Sequence, residues 1–64
     1  MIKLTRISGE EILLNTDLIE LIERHSDSVV TLTTGNKILV KDSLDEISKK
    51  IIEFKAAINK FKSV

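Results

Sequence analysis

The sequence contains no cysteine, proline, tryptophan or tyrosine, and only one histidine, His25. Without cysteine there is no disulfide framework, no thiolate zinc site and no thiol nucleophile. One imidazole alone leaves no histidine pair for a metal site. No apolar run approaches the roughly 20 residues that cross a bilayer. The first six residues alternate polar and apolar side chains, which a signal peptide does not, so we expect a cytoplasmic protein.

What the chain does contain is aliphatic and highly charged. Its 64 residues are 42% hydrophobic and predict one folded domain, residues 1–64, with a small core. A domain this small without disulfides usually needs a very well-packed core or a partner subunit, and we expect a homo-oligomer. The ten basic and ten acidic side chains cancel overall but are unevenly placed. Residues 1–48 have five basic and nine acidic side chains, whereas residues 49–64 have five and one.

The apolar pattern predicts five short strands followed by one helix. The strands are expected at about residues 2–7, 11–15, 19–24, 28–34 and 37–41, and the helix at about 44–62. Ser8-Gly9 and Gly35-Asn36 have the composition of hairpin turns. The predicted fold class is α+β. A strongly bent antiparallel sheet of four or five strands, which could form a small open barrel, precedes one long amphipathic helix.

Residues 17–24 fit either of two structures. The aliphatic side chains have helical spacing, and Asp17 could cap a helix. Eight residues make only about two turns, however, and short helices are marginal. In a strand, Ile19 and Leu21 would share one face. We predict a strand at 19–24 and keep a short helix as the alternative.

The C-terminal helix has the clearest signature in the chain. Ser43-Leu44-Asp45-Glu46 matches a capping box, in which the serine and the glutamate satisfy each other's backbone amides. Apolar residues then recur at spacings of three and four, at Leu44, Ile47, Ile51, Phe54, Ile58 and Phe61. This seam predicts a helix face that packs on its own sheet or on a neighbouring copy.

The length of this helix suggests an interaction surface. About 19 helical residues span about 28 Å, whereas a six-residue strand spans about 20 Å. If the helix lies along the strands, its last turns overhang them and expose apolar side chains to a partner. The candidate residues are Phe54, Ile58 and Phe61 for association, and Lys55, Lys60 and Lys62 for electrostatic steering.

The polar residues do not form a recognisable catalytic site. His25, Ser26 and Asp27 are consecutive, and neighbouring residues in a turn cannot adopt the geometry of a catalytic triad. There is no glycine-rich phosphate loop, and so small a domain leaves little room for a pocket. We therefore expect a non-enzymatic protein with no cofactor, no metal and no small-molecule substrate.

The basic helix leaves two other partners open. A small nucleic-acid-binding regulator could use the tail lysines, although the acidic sheet region repels phosphates and no Trp or Tyr offers a stacking platform. The same amphipathic helix could make peripheral contact with a membrane surface. Protein–protein interaction remains the preferred hypothesis, with the nucleic-acid regulator as its alternative.

Residues 1–41 carry a series of motifs in a fixed order. They are Met1-Ile2-Lys3-Leu4-Thr5-Arg6, Gly9, Leu14-Asn15, Asp17-Leu18-Ile19-Glu20, Ile22-Glu23, Asp27, Val30-Thr31-Leu32-Thr33-Thr34-Gly35-Asn36-Lys37 and Val40. In order and spacing these motifs resemble the FlbD/SwrD family of flagellar and swarming motility proteins. The resemblance is close over residues 1–41 and looser over the helix.

The resemblance implies a cytoplasmic accessory protein of bacterial flagellar motility and swarming, in association with the motor at the inner membrane. It further implies that the protein supports motor output by interaction with a flagellar motor or stator protein. The family suggests no catalytic residues for this chain. This expectation agrees with the absence of a catalytic pattern in the sequence.

Overall fold

The structure is a computed structural model that describes the backbone of residues 1–62 and the side chains of residues 1–58. It contains five strands and one long helix, together with a short 3₁₀ turn at Thr16–Leu18. The elements are β1 (Ile2–Thr5), β2 (Glu11–Leu14), β3 (Ile19–Arg24), β4 (Ser28–Leu32), β5 (Lys37–Val40) and α1 (Leu44–Lys62). The predicted α+β fold class is confirmed.

The strands form two antiparallel sheets. One is the β1–β2 hairpin, and the other has the order β3–β4–β5. The two sheets meet at a single bridge between Arg6 and Val40, beside which the amide of Lys41 donates to the carbonyl of Thr5 at 2.8 Å. One edge of β1 pairs with β2 along the whole strand, whereas the bridge to β5 forms only at Arg6, just after β1 ends. Within the described strands, the bent sheet is therefore divided in two and no barrel closes.

Two hairpin loops close in the same way. In the first, the amide of Arg6 donates to the carbonyl of Glu10, and the amide of Gly9 donates to the carbonyl of Arg6, both at 2.8 Å. The loop 33–35 repeats this arrangement. The two glycines have φ of 100° and 92°, which L side chains rarely adopt. The second loop, residues 33–35, ends before Asn36. The sequence predicted a turn that includes Asn36.

The ambiguous segment contains a strand. Ile19–Arg24 pairs antiparallel with β4 and places Ile22 opposite Val30, with a bulge between Ile19 and Leu21. Helical structure is limited to the 3₁₀ turn before it, where the side chain of Asn15 accepts from the amide of Asp17 at 3.0 Å. The strand prediction for 19–24 is the one observed.

The core lies between the two sheets and the first half of α1. Among the described side chains, its buried apolar members are Ile2, Leu4, Leu14, Val30, Val40 and Ile47. Partly buried side chains from β2, β3, β4, β5 and α1 pack around it, including Ile51 and Phe54 of the helix. The hydrophobic side chains of both sheets thus converge on a single cluster, and Ile47 brings the helix into it.

The helix begins at the predicted capping box. The amide of Glu46 donates to Oγ of Ser43, and the amide of Ser43 donates to Oε1 of Glu46, both at 3.1 Å. These two bonds satisfy amides that have no partner within the helix. From this fixed start the helix runs to Lys62, and the molecule is elongated, with dimensions of 41 × 22 × 19 Å.

Candidate interaction surfaces

The start of the helix is held by a buried carboxylate. Asp42, which is 8% exposed, lies between the end of β5 and the cap residue. Its Oδ1 accepts from the amide of Thr5 at 2.8 Å, and its Oδ2 accepts from Nζ of Lys50 at 3.0 Å. The same ammonium donates to the carbonyl of Lys3 at 2.6 Å. This Asp42–Lys50 latch joins α1 to β1 and fixes the direction in which the helix leaves the core.

The latch favours the ionised form of Asp42. Burial of the carboxyl raises its pKa, but the hydrogen bond from the Thr5 amide and the bond and charge of Lys50 lower it by more. The pKa of Asp42 therefore lies below its ordinary value of 3.8. The carboxylate is charged at neutral pH and remains paired with the Lys50 ammonium.

The apolar seam of α1 has two different environments. Ile51 and Phe54 are half-buried and pack against the core. Ile58, one turn further along, is half-buried but is not among the described side chains that pack on that core. Lys55 lies between these turns and is exposed. Of the predicted interaction residues, Phe54 thus belongs partly to the fold, whereas Ile58 and Lys55 lie on the segment beyond it.

The helix continues past Phe54, the last of its described side chains that packs on the core. Residues 55–62 extend about 12 Å at about 1.5 Å per residue, in keeping with the long dimension of the molecule. We call residues 55–62 the projecting segment. The side chains of Lys60, Phe61 and Lys62, which the sequence also singled out, lie outside the described residues.

A second apolar surface lies on the outer face of the three-stranded sheet. Leu21 and Leu39 are 49% and 47% exposed, and Ile7, which lies beside Leu39, is 41% exposed. The amide of Ile7 donates to the carbonyl of Leu39 at 3.2 Å, which places Ile7 beside β5 at the edge of this sheet. Sequence reasoning missed the surface, although Ile38-Leu39-Val40 is apolar on both faces of one strand.

The titratable side chains do not assemble into a reactive centre. Nε2 of His25 lies 3.9 Å from Oε2 of Glu23, and both side chains are exposed, at 69% and 42%. Among the described residues there is no cavity and no group of three or more potential metal ligands. No helix in the described part of the chain is long and apolar enough to span a membrane.

Comparison with known proteins matches this chain to a family model. A model of the FlbD family, described as flagellar and swarming motility proteins, matches residues 1–59. The match covers both sheets, the latch and most of the helix. No curated protein and no solved structure matches the chain significantly.

Proposed function

Because the chain belongs to the FlbD family of flagellar and swarming motility proteins, we propose that it supports the output of the flagellar motor by binding a motor or stator protein. In this proposal it works in the cytoplasm at the inner membrane, and it catalyses no reaction. The partner binds the projecting segment of α1. The sheets and the latch serve to hold that segment in a fixed direction.

The observation that supports this proposal is the continuation of the apolar seam beyond the core. Among the described side chains, Phe54 is the last seam residue that packs on the core, and in the sequence the seam continues at Ile58 and Phe61. An amphipathic helix can bind a partner by placing its apolar stripe in a groove. Ile58 and Phe61 would be the apolar anchors of such a contact, and Phe54 would border it.

The uneven distribution of charge along the chain would orient the protein in the proposed contact. Residues 49–64 carry five lysines and one acidic residue, while the rest of the chain is net acidic. Lys55, Lys60 and Lys62 would steer the segment toward an acidic surface of the motor partner and keep the acidic body away from it. Charges at the rim of an interface act mainly on the association rate and on specificity.

The test compares two helix variants in a strain that lacks the native protein. Ile58→Ala with Phe61→Ala removes both proposed anchors. Ile52→Ala is the matched control, because Ile52 is on the same helix, is 64% exposed and lies off the seam. Swarming rate and motor torque are the measured quantities, with helical content by circular dichroism as the check on folding.

We expect the double variant to remain folded and to lose swarming and torque, whereas Ile52→Ala keeps both. Full motility in the folded double variant would contradict the proposed contact. Equal loss in the Ile52→Ala control would indicate that any change in the helix impairs motility, and it would also contradict the assignment to the seam. A second experiment measures direct binding of purified motor and stator proteins to the wild type and to the same variants.

A further inference from the structure

The outer face of the β3–β4–β5 sheet carries an apolar surface with charged corners. Cross-strand pairs place side chains on one face of a sheet side by side. One row on this face is Glu23, Val29 and Leu39, and the next row is Leu21, Thr31 and Lys37. Ile7 extends the first row beyond Leu39. We call these seven residues the outer patch.

The four corners of the two rows alternate between apolar and charged side chains. Leu21 and Leu39 occupy one diagonal of the two rows, and Glu23 and Lys37 occupy the other. Both leucines are about half exposed, so the apolar diagonal faces solvent in the single chain. An exposed apolar stripe bordered by one acidic and one basic side chain is a self-complementary arrangement.

We propose that two copies of the chain pair through their outer patches, face to face, about a twofold axis that follows the Leu21–Leu39 diagonal. In a twofold interface, the same surface of each copy is used by both. Rotation about this diagonal keeps the leucines of the two copies in contact along the axis. It also exchanges the other two corners, so Glu23 of each copy faces Lys37 of the other.

This charge pairing selects a second copy as the occupant of the outer patch. A twofold axis along the strands would place Glu23 against a leucine and Lys37 against the other leucine, which leaves both charges without opposite charges. Only the axis along the Leu21–Leu39 diagonal pairs both charges with opposite charges and also keeps the leucines of the two copies together. The strands of the two sheets would then cross steeply, in the manner of orthogonal sheet packing.

The thin core gives the pairing an energetic reason. Six buried apolar side chains among the 58 whose side chains are described make a small core, and small domains commonly gain stability from a partner subunit. The helix packs on the opposite side of the sheet, against the core that contains Val30 and Ile47. The dimer would therefore leave both projecting segments free, and it does not depend on the function proposed for them.

The experiment is light scattering after size exclusion on the purified full chain over a concentration series. We expect a concentration-dependent dimer in the wild type. Leu39→Asp should weaken it by roughly 100-fold, as expected for an apolar anchor at the centre of an interface. The matched control is Leu13→Asp, because Leu13 is also an exposed strand leucine, 67% exposed, but belongs to β2.

The charge pairs are tested by reversal. Glu23→Lys alone and Lys37→Glu alone should each weaken the dimer roughly tenfold, because each places like charges opposite one another. The two changes together should restore the wild-type dissociation constant, since they exchange the partners of an intact pair. Both residues are at least partly exposed, so these variants remain informative if Leu39→Asp fails to fold.

Three results would overturn the proposal. They are a wild-type monomer at every concentration, a double reversal no better than either single change, or a dimer lost in Ile58→Ala with Phe61→Ala but kept in Leu39→Asp. The last result would place self-association on the helix instead. Because the assay uses purified protein without any motor component, its outcome is separate from that of the motility test.

Discussion

The two halves of α1 share one apolar seam but differ in what holds them. The first half begins at the Ser43 cap, is tied to β1 through Asp42 and Lys50, and inserts the fully buried Ile47 into the core. The projecting segment has none of these anchors among its described residues. Helical periodicity is the same in both halves. A regular seam therefore reports where a helix is amphipathic, and the tertiary contacts decide whether that face folds the protein or binds a partner.

The largest expected difference between the halves is in core packing. Ile47→Ala should lower the free energy of unfolding by about 2–5 kcal/mol, because it removes methyl groups from a side chain with no exposed surface. Ile58→Ala should cost about 1 kcal/mol or less, since Ile58 is half-buried and does not pack on the core. Urea unfolding followed by circular dichroism measures both.

Ile47→Val keeps the comparison measurable if Ile47→Ala prevents folding. It should cost about 0.5–1.5 kcal/mol, which a domain of this size can tolerate. Equal losses for the substitutions at positions 47 and 58 would contradict the division of the helix into an anchored half and a projecting half. They would indicate instead that the whole seam packs on the sheets.

The latch is expected to have the next largest effect, and its effect should depend on pH. Asp42→Asn should cost about 1–3 kcal/mol near neutral pH, because it weakens bonds to a buried carboxylate. The pKa of Asp42 is lowered in the folded state, so its stabilisation is present above the ordinary value of 3.8 and is lost as pH falls below it. The wild type and the variant should therefore converge in stability as the pH falls progressively below 3.8.

Urea unfolding at neutral pH and at low pH checks this prediction. Asp45→Asn is the control, because Asp45 is an exposed carboxylate in the first turn of the same helix. Its replacement should have a small effect at both pH values. A constant difference between the wild type and Asp42→Asn across the pH range would show that the latch does not act through the charge of its carboxylate.

The cap of the anchored half should make a smaller contribution. Ser43→Ala should lower the stability by about 1 kcal/mol, because the amide of Glu46 loses its hydrogen-bond acceptor. Ser48→Ala changes the same residue type at an exposed position within α1. Alanine has the higher helix propensity, so this control should be neutral or slightly stabilising. Thermal unfolding that gave equal losses for both serines would argue against the capping box.

The features predicted from the sequence are those coded by neighbouring residues. The capping box spans four positions, and the strand periodicity and the two turn glycines are also local signals. The latch is different, because Thr5 and Asp42 are 37 positions apart and neither residue type indicates the other. The division into two sheets depends on where β1 turns from β2 toward β5, which is a property of packing.

The same distinction applies to the two interaction surfaces, of which one could be predicted from the sequence and the other could not. The helix seam could be predicted from the sequence because six apolar residues recur at spacings of three and four, from Leu44 to Phe61. The outer patch was not, because Leu21 and Leu39 gain their neighbours only when three strands align in register. A leucine on the second face of a strand looks in the sequence like part of a buried strand. Only the paired sheet places it beside Glu23 and Lys37 at a common surface.

The smallest expected effect on stability, and the sharpest test of the comparison, is at Lys55. Lys55 is exposed at the start of the projecting segment, so Lys55→Glu should leave the unfolding midpoint unchanged, as surface substitutions usually do. Reversal of a steering charge should nevertheless slow the association with an acidic motor partner and reduce swarming, more strongly at low ionic strength than at high. Lys49→Glu makes the same change at an exposed position in the anchored half and should have little effect on swarming. Unimpaired swarming in both variants would mean that the projecting segment has no special electrostatic role. Reduced swarming in both variants would assign that role to the helix as a whole.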